Sequence, residues 1–156
     1  QAEGLAHNKL SESSTRITKV IRGINQIEVA EADTITAYSY FAPHDTYTSK
    51  IRYYLNDNQD KLLAEVTPMT ADYPIGSLIT NQTRTVTVID GFKKVPNKDT
   101  FMYYDGESNQ LPSPVTEKQA IKNITLQLFV KKYESSNPDY VSTISSVNLR
   151  NRKSNL

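Results

Sequence analysis

An amphipathic helical pattern opens the chain, and only strand patterns follow it. Between residues 11 and 29 apolar residues recur at intervals of three and four, which is the spacing of one helical face. The apolar side consists of Ile17, Val20, Ile21, Ile24 and Ile27, and the polar side of Arg16, Lys19, Arg22 and Asn25. No proline interrupts the pattern upstream. We therefore predict a helix over residues 1–30 that ends at residues 30–33.

Strand patterns follow the helix at close intervals. Residues 34–41 are rich in β-branched and aromatic side chains, and residues 50–55 and 61–66 flank a run of turn formers, as in a hairpin. Further strands are predicted at 84–90, 101–105, 124–130 and 141–149, and residues 77–80 fit either a short strand or a helical turn. Helix and strands do not alternate, so we predict an α+β fold in which the long N-terminal helix packs on an antiparallel β-sheet. A single domain would span residues 1–156, with a basic tail at 150–156.

The composition excludes several classes of function. The 156 residues contain no cysteine, which excludes disulfides, thiolate catalysis and cysteine-ligated zinc. The five glycines form neither a Walker sequence nor a Gly-x-Gly-x-x-Gly pattern, so no phosphate-binding loop is predicted. No apolar run approaches the ~20 residues that a membrane-spanning helix requires.

Catalytic residues are scarce in the sequence. The two histidines are His7, in the helical segment, and His44, in a Pro-His-Asp loop, and no Gly-x-Ser-x-Gly elbow is present. We therefore predict that the chain is not an enzyme, and that it has no cofactor and no small-molecule substrate. A site built from His44, Asp45 and Tyr47 is the enzymatic alternative, and it ranks last.

Two acidic segments match cation-binding loops only in part. The first supplies Asn56, Asp57, Asn58 and Asp60, and the second Asp99, Asp105 and Glu107. In the first segment Lys61 stands where an EF-hand needs glycine, and no bidentate glutamate follows at the required spacing. Asn and Asp are also frequent in tight turns for backbone reasons. We therefore favour turn formation over metal binding.

Basic residues near the strand ends and in the tail suggest a second function. They are Lys93, Lys94, Lys131, Lys132, Arg150, Arg152 and Lys153. Together with neighbouring tyrosines they would suit contact with a nucleic-acid backbone. The formal net charge of only +1 argues against a dedicated nucleic-acid-binding protein. Lysines at strand ends also discourage aggregation between sheets, and this reading is favoured.

Five segments of the chain occur in an order and spacing typical of one known family. They are residues 14–22, 51–55 with 61–63, 101–106, 121–128 and 141–151. In that order they resemble the lower part of the long helix, the first hairpin, the short aromatic strand, the long strand and the closing strand of type IV pilin-like proteins. The resemblance is strongest to the minor pilins and pseudopilins of the J and W types, and it covers most of the chain.

The resemblance implies a structural role in a filament at the cell surface. Members of this family are anchored in the inner or cytoplasmic membrane by an apolar helix upstream of such a region, and a prepilin peptidase trims them before assembly. Because the helical pattern is already under way at Gln1, we expect that an upstream segment of this kind has been removed. The expected partners are other pilin or pseudopilin subunits in an initiating or tip complex.

The resemblance also assigns a surface for assembly. The helix stripe formed by Leu5, Leu10, Ile17, Val20, Ile21 and Ile24 would pack on the sheet, and its exposed continuation through Leu5 and Leu10 would join the helical core of the filament. The peptidase motif and the helix glutamate of the family are not in this sequence, and its frequent C-terminal disulfide is impossible without cysteine. The alternative function is a surface-exposed binding module, either a tip adhesin or a DNA-uptake pilin that contacts DNA through the basic residues.

Overall fold

The computed structural model describes residues 2–132 and 138–150. Within these two ranges, one α-helix precedes nine β-strands, and two short 3-10 helices lie between strands. The helix and strands are α1 Ala2–Arg22, β1 Gln26–Ala30, β2 Ile35–Ser39, β3 Ser49–Leu55, β4 Lys61–Pro68, β5 Arg84–Asp90, β6 Phe101–Tyr104, β7 Gln110–Leu111, β8 Asn123–Lys131 and β9 Tyr140–Asn148. The 3-10 helices are Thr80–Gln82 and Lys118–Ala120. The strands predicted from the sequence are all present. Two more were not predicted: β1 lies in a segment that was predicted as helix, and β7 lies in one that was predicted as loop.

The helix ends eight residues earlier than the sequence predicted, at Arg22 instead of residue 30. Gly23 and Ile24 close it with bonds to carbonyls three residues back, and the Asn25 N–H then bonds to the Tyr38 carbonyl at 3.0 Å. A side chain at Gly23 would lie about 3.2 Å from the Ser39 hydroxyl, so the chain turns where only glycine fits easily. The prediction was wrong because a three-residue interval between isoleucines fits this turn as well as it fits a helix.

The strands form two antiparallel sheets instead of one. Sheet 1 has the order β1-β2-β3-β4-β5, and sheet 2 has the order β7-β6-β8-β9. The chain passes from β5 into sheet 2 at Gly91, whose φ of 83° lies in the left-handed region that glycine adopts without strain. Phe92 then forms an antiparallel bridge with Val130, so the far end of β8 is paired on both sides.

The core lies between α1 and the two sheets. The buried face of α1 is formed by Ala6, Leu10, Ser13, Ser14, Ile17, Val20 and Ile21. It packs on the inner face of β8 and β9 and against β5. Alternate residues of β8, from Ile124 to Val130, point inward and are buried. The fold is therefore α+β, with a long N-terminal helix on antiparallel sheets.

Truncation of Ile21 tests the packing of the helix. Its side chain is completely buried, so Ile21→Ala should lower the free energy of unfolding by about 2–5 kcal/mol through lost apolar burial and a cavity. Urea denaturation followed by circular dichroism measures the change. Leu5 lies on the same helix but is exposed, so Leu5→Ala should change stability by less than about 0.5 kcal/mol. Wild-type stability of Ile21→Ala would contradict this placement of α1.

Candidate interaction surfaces

Polar contacts hold α1 on both of its sides. On one side, the Lys9 ammonium donates to the Asp90 carbonyl at 3.0 Å and the Ser13 hydroxyl to the Val88 carbonyl at 3.2 Å, both in β5. On the other side, the hydroxyls of Ser14 and Ser145 lie 3.1 Å apart. The N–H of Arg150, just after β9, donates to the last carbonyl of α1 at 3.1 Å. These contacts fix α1 alongside β9 with the two elements running in the same direction.

Most residues of the assembly stripe predicted from the sequence are buried in the protein's own core. Ile17, Val20, Ile21 and Ile24 are buried, as expected for packing on the sheet. Leu10 was expected to be exposed and is 2% exposed instead. It lies seven residues before Ile17, about two helical turns, and so shares the buried face. Leu5 lies off that face and is 61% exposed, which leaves it as the one member of the predicted stripe available to a neighbour.

The predicted basic residues do not form one surface. Lys131 and Lys132 stand at the end of β8, and the N–H of Lys93 beside them donates to the Phe129 carbonyl at 2.9 Å. Arg150 lies at the opposite end, where the N–H of its neighbour Leu149 donates to the Lys122 carbonyl just before β8 begins. A nine-residue strand is roughly 30 Å long. Arg150 is therefore separated by about this distance from the cluster that Lys93, Lys94, Lys131 and Lys132 form at the other end of β8. Arg152 and Lys153 lie outside the described residues.

Two of the four clustered lysines are paired with carboxylates. The Lys93 ammonium lies 3.3 Å from the Asp139 carboxylate, and the Lys94 ammonium lies 3.0 Å from that of Asp33. These pairs reduce the positive potential that the cluster would present to a phosphate backbone. DNA contact through this surface stays a prediction.

Asp33 is a structural residue that the sequence reasoning missed. Its Oδ1 accepts from the Lys94 ammonium at 3.0 Å, from the Thr100 hydroxyl at 2.8 Å and from the Thr100 N–H at 3.3 Å. The neighbouring carbonyl of Ala32 accepts from the Phe101 N–H at 2.8 Å, and that of Glu31 from the Tyr103 hydroxyl at 2.7 Å. The β1–β2 turn is thereby joined to β6, and Asp33 links the two sheets. Because residues 30–33 were predicted as the end of the helix, no role for Asp33 followed.

Both acidic segments are used to close turns. The Asn56 side-chain oxygen accepts from the N–H groups of Asp60 and Lys61, and its amide donates to Asp60 at 2.7 Å. Asp105 accepts from the N–H groups of Glu107 and Asn109. The hydrogen bond from Asn56 lowers the pKa of Asp60, and the N–H bonds lower that of Asp105. No group of three metal-ligating side chains occurs in the part of the chain that the structure describes.

The loop that contains the candidate catalytic residues His44, Asp45 and Tyr47 is also closed by a carboxylate. The Asp45 carboxylate accepts from the Ala42 N–H, and the Ala42 carbonyl accepts from the Asp45 N–H. Asp45 therefore closes the turn that carries His44, which is exposed together with Tyr47. The Asp45 carboxylate is therefore bonded to the backbone of its own turn.

The loop between β4 and β5 presents an exposed apolar side chain that the sequence patterns did not predict. The Asp72 carboxylate accepts from the Tyr40 hydroxyl at 2.8 Å and from the Thr48 N–H at 2.9 Å. Tyr73 stacks on Tyr38 with 4.1 Å between the ring centroids. These contacts fix a loop from which Ile75 projects with 84% of its surface exposed.

Removal of the Asp33 carboxylate tests its linking role. Asp33→Ala leaves the buried Thr100 hydroxyl and N–H without their acceptor, so the free energy of unfolding should fall by about 1–3 kcal/mol. Asp139→Ala is the matched control, because it removes an exposed ion pair with Lys93 worth roughly 0–1 kcal/mol. Chemical denaturation of both variants measures the difference. An equal, small effect of the two substitutions would show that Asp33 does not link the sheets.

Neither a protein-family model nor a curated protein matches the chain. Among the described residues, no helix is long and apolar enough to cross a membrane. Function is therefore inferred from α1, the two sheets and their edges.

Proposed function

We propose that this protein is a structural subunit of a type IV pilin-like filament. Within that class, the resemblance of residues 14–22, 51–55 with 61–63, 101–106, 121–128 and 141–151 favours a minor pilin or pseudopilin of the J or W type. Such a subunit acts at the surface of the cell in an initiating or tip complex. Its partners are other subunits of the same filament.

The observation that supports the proposal best is the way α1 is held. One face of the helix is buried against both sheets from Ala6 to Ile21, and the opposite face stays exposed along the same length. A helix of this kind can keep its place on its own sheets while its free face contacts neighbouring helices. In pilin-like filaments, helix contacts of this type form the core and the sheets face outward.

Leu5 is the residue through which such a contact would begin. It lies one turn before Lys9, beyond the buried face, and its side chain is 61% exposed. An apolar segment preceding α1 would continue past this position toward the filament core. Burial of Leu5 against a neighbouring subunit would then add apolar contact that the isolated chain lacks.

The coding sequence upstream of Gln1 gives the most direct test. We expect a short basic leader with a small residue at its cleavage point, followed by ~20 apolar residues with a glutamate near their start. An ordinary cleavable signal peptide, or a start codon next to Gln1, would remove the filament anchor and contradict the proposal.

A charge at Leu5 tests the assembly contact itself. In the full-length gene in its native host, Leu5→Asp should lower incorporation into sheared surface filaments by about tenfold, which corresponds to roughly 1.4 kcal/mol of lost contact energy. Immunoblotting of the sheared fraction against total protein measures incorporation. Ile75→Asp is the control, because Ile75 is an exposed apolar residue on a distant loop. Equal incorporation of both variants would exclude Leu5 from the assembly surface.

A further inference from the structure

Each sheet has two edge strands, and three of these four edges are protected against pairing with another chain. β1 contains a bulge at Glu28, and its Ala30 carbonyl accepts from the Val115 N–H at 2.9 Å. β5 has its Val88 and Asp90 carbonyls bonded by side chains of α1. β7 is only two residues long. Bulges, charges, covering elements and short length are the usual devices that stop edge strands from pairing.

β9 is the fourth edge, and it is neither bulged, charged nor short; α1 packs on its inner face and bonds to it through the side chains of Ser14 and Ser145. The strand pairs with β8 in continuous register over its whole length of nine residues, without a bulge. Its sequence contains no charged residue, no proline and no glycine. In the ranges 2–132 and 138–150, β8 is the only strand that pairs with it. A long, regular, uncharged edge is a template for a further strand.

The side chains of β9 match a second copy of the same strand. Read outward from Ile144, the sequence is nearly the same in both directions, because Thr143 mirrors Ser145, Ser142 mirrors Ser146 and Val141 mirrors Val147. In an antiparallel pair centred on Ile144, each of these residues would face its mirror partner in the other copy. Such a self-complementary pairing is the requirement for a two-fold symmetric interface.

We propose that β9 is a homodimerisation edge, at which two copies of this chain pair antiparallel about Ile144. Sheet 2 of each copy then joins into one continuous sheet of eight strands. Ile144, which is 62% exposed in the single chain, would pack against Ile144 of the second copy. This proposal does not depend on the filament function, because it uses only the edge of sheet 2.

α1 lies next to the strand that would form this pair. The two-fold axis is perpendicular to the joined sheet, so α1 of both copies would lie on the same face and run antiparallel. Between α1 and β9 lies a groove of about 300 Å³ lined by His7, Leu10, Ser11, Ser14, Thr15, Ser142, Thr143 and Ser145. Most of these side chains are short hydroxyls, which allow close approach and do not add like charges across the axis.

Single cysteine variants test the register. The chain contains no cysteine, so Ile144→Cys introduces one thiol whose Cα would lie about 4.5–5.5 Å from that of its mate, within disulfide range. Ser142→Cys is the matched control on the same face of β9. Its mate would be about 14 Å away, because the two positions are offset by four residues. Under mild oxidation, we expect Ile144→Cys to form disulfide-linked dimers at least ~10-fold faster than Ser142→Cys.

Sedimentation of the cysteine-free chain over a wide concentration range provides the second readout. We expect a monomer–dimer equilibrium that Ile144→Lys abolishes, since two like charges would then face each other across the axis. Ile75→Lys, at another exposed apolar position, should dimerise like the wild type. Equal cross-linking of the two cysteine variants would overturn the proposal. β9 would then be an edge for pairing with a strand of a different protein. A dimer that survives Ile144→Lys would also overturn the proposal, because it would use another surface.

Discussion

The burial of one face of α1 is the interaction on which the rest of the structure depends. The helix packs on the inner face of β8 and β9, and its Lys9 and Ser13 side chains bond to the backbone of β5. Without α1 the apolar inner face of sheet 2 would be open to water, and β5 would be an open edge of sheet 1. The helix therefore supplies both the apolar cover of one sheet and the polar cap of the other. Asp33 adds a second, polar link between the sheets at the β1–β2 turn.

Local periodicity predicted the elements well, for identifiable reasons. β5 occupies residues 84–90 as predicted, because Val86, Val88 and other β-branched residues lie between a polar loop and Gly91. β8 was equally clear, since apolar residues alternate from Ile124 to Val130. The hairpin of β3 and β4 was marked by the turn formers between them. In each case the information lies within about ten neighbouring residues.

The features that the sequence did not reveal depend on distant contacts. The division into two sheets follows from Gly91 and from the Phe92–Val130 bridge, which joins residues far apart in the chain. α1 ends at Arg22 because Gly23 packs closely beside Ser39. The helical spacing of apolar residues continues to Ile27, so the sequence pattern gives no sign of this end. Leu10 was misplaced for a related reason: its spacing puts it on the apolar face, but only β5 and β9 decide how far that face is covered. The basic residues were likewise predicted to form one surface. The structure places the lysines at one end of β8 and Arg150 at the other.

The same helix determines which edge of the protein stays open. On its β5 side, side chains of α1 donate hydrogen bonds to the carbonyls of Val88 and Asp90. These two carbonyls are therefore no longer available to an added strand. On its β9 side, the hydrogen bond between α1 and the strand joins the side chains of Ser14 and Ser145 and uses no backbone group of β9. The mirror-like sequence of β9 about Ile144 then defines the strand that fits there best, which is β9 itself. An asymmetry in how one helix is bonded on its two sides thus becomes an asymmetry in how the whole molecule can associate.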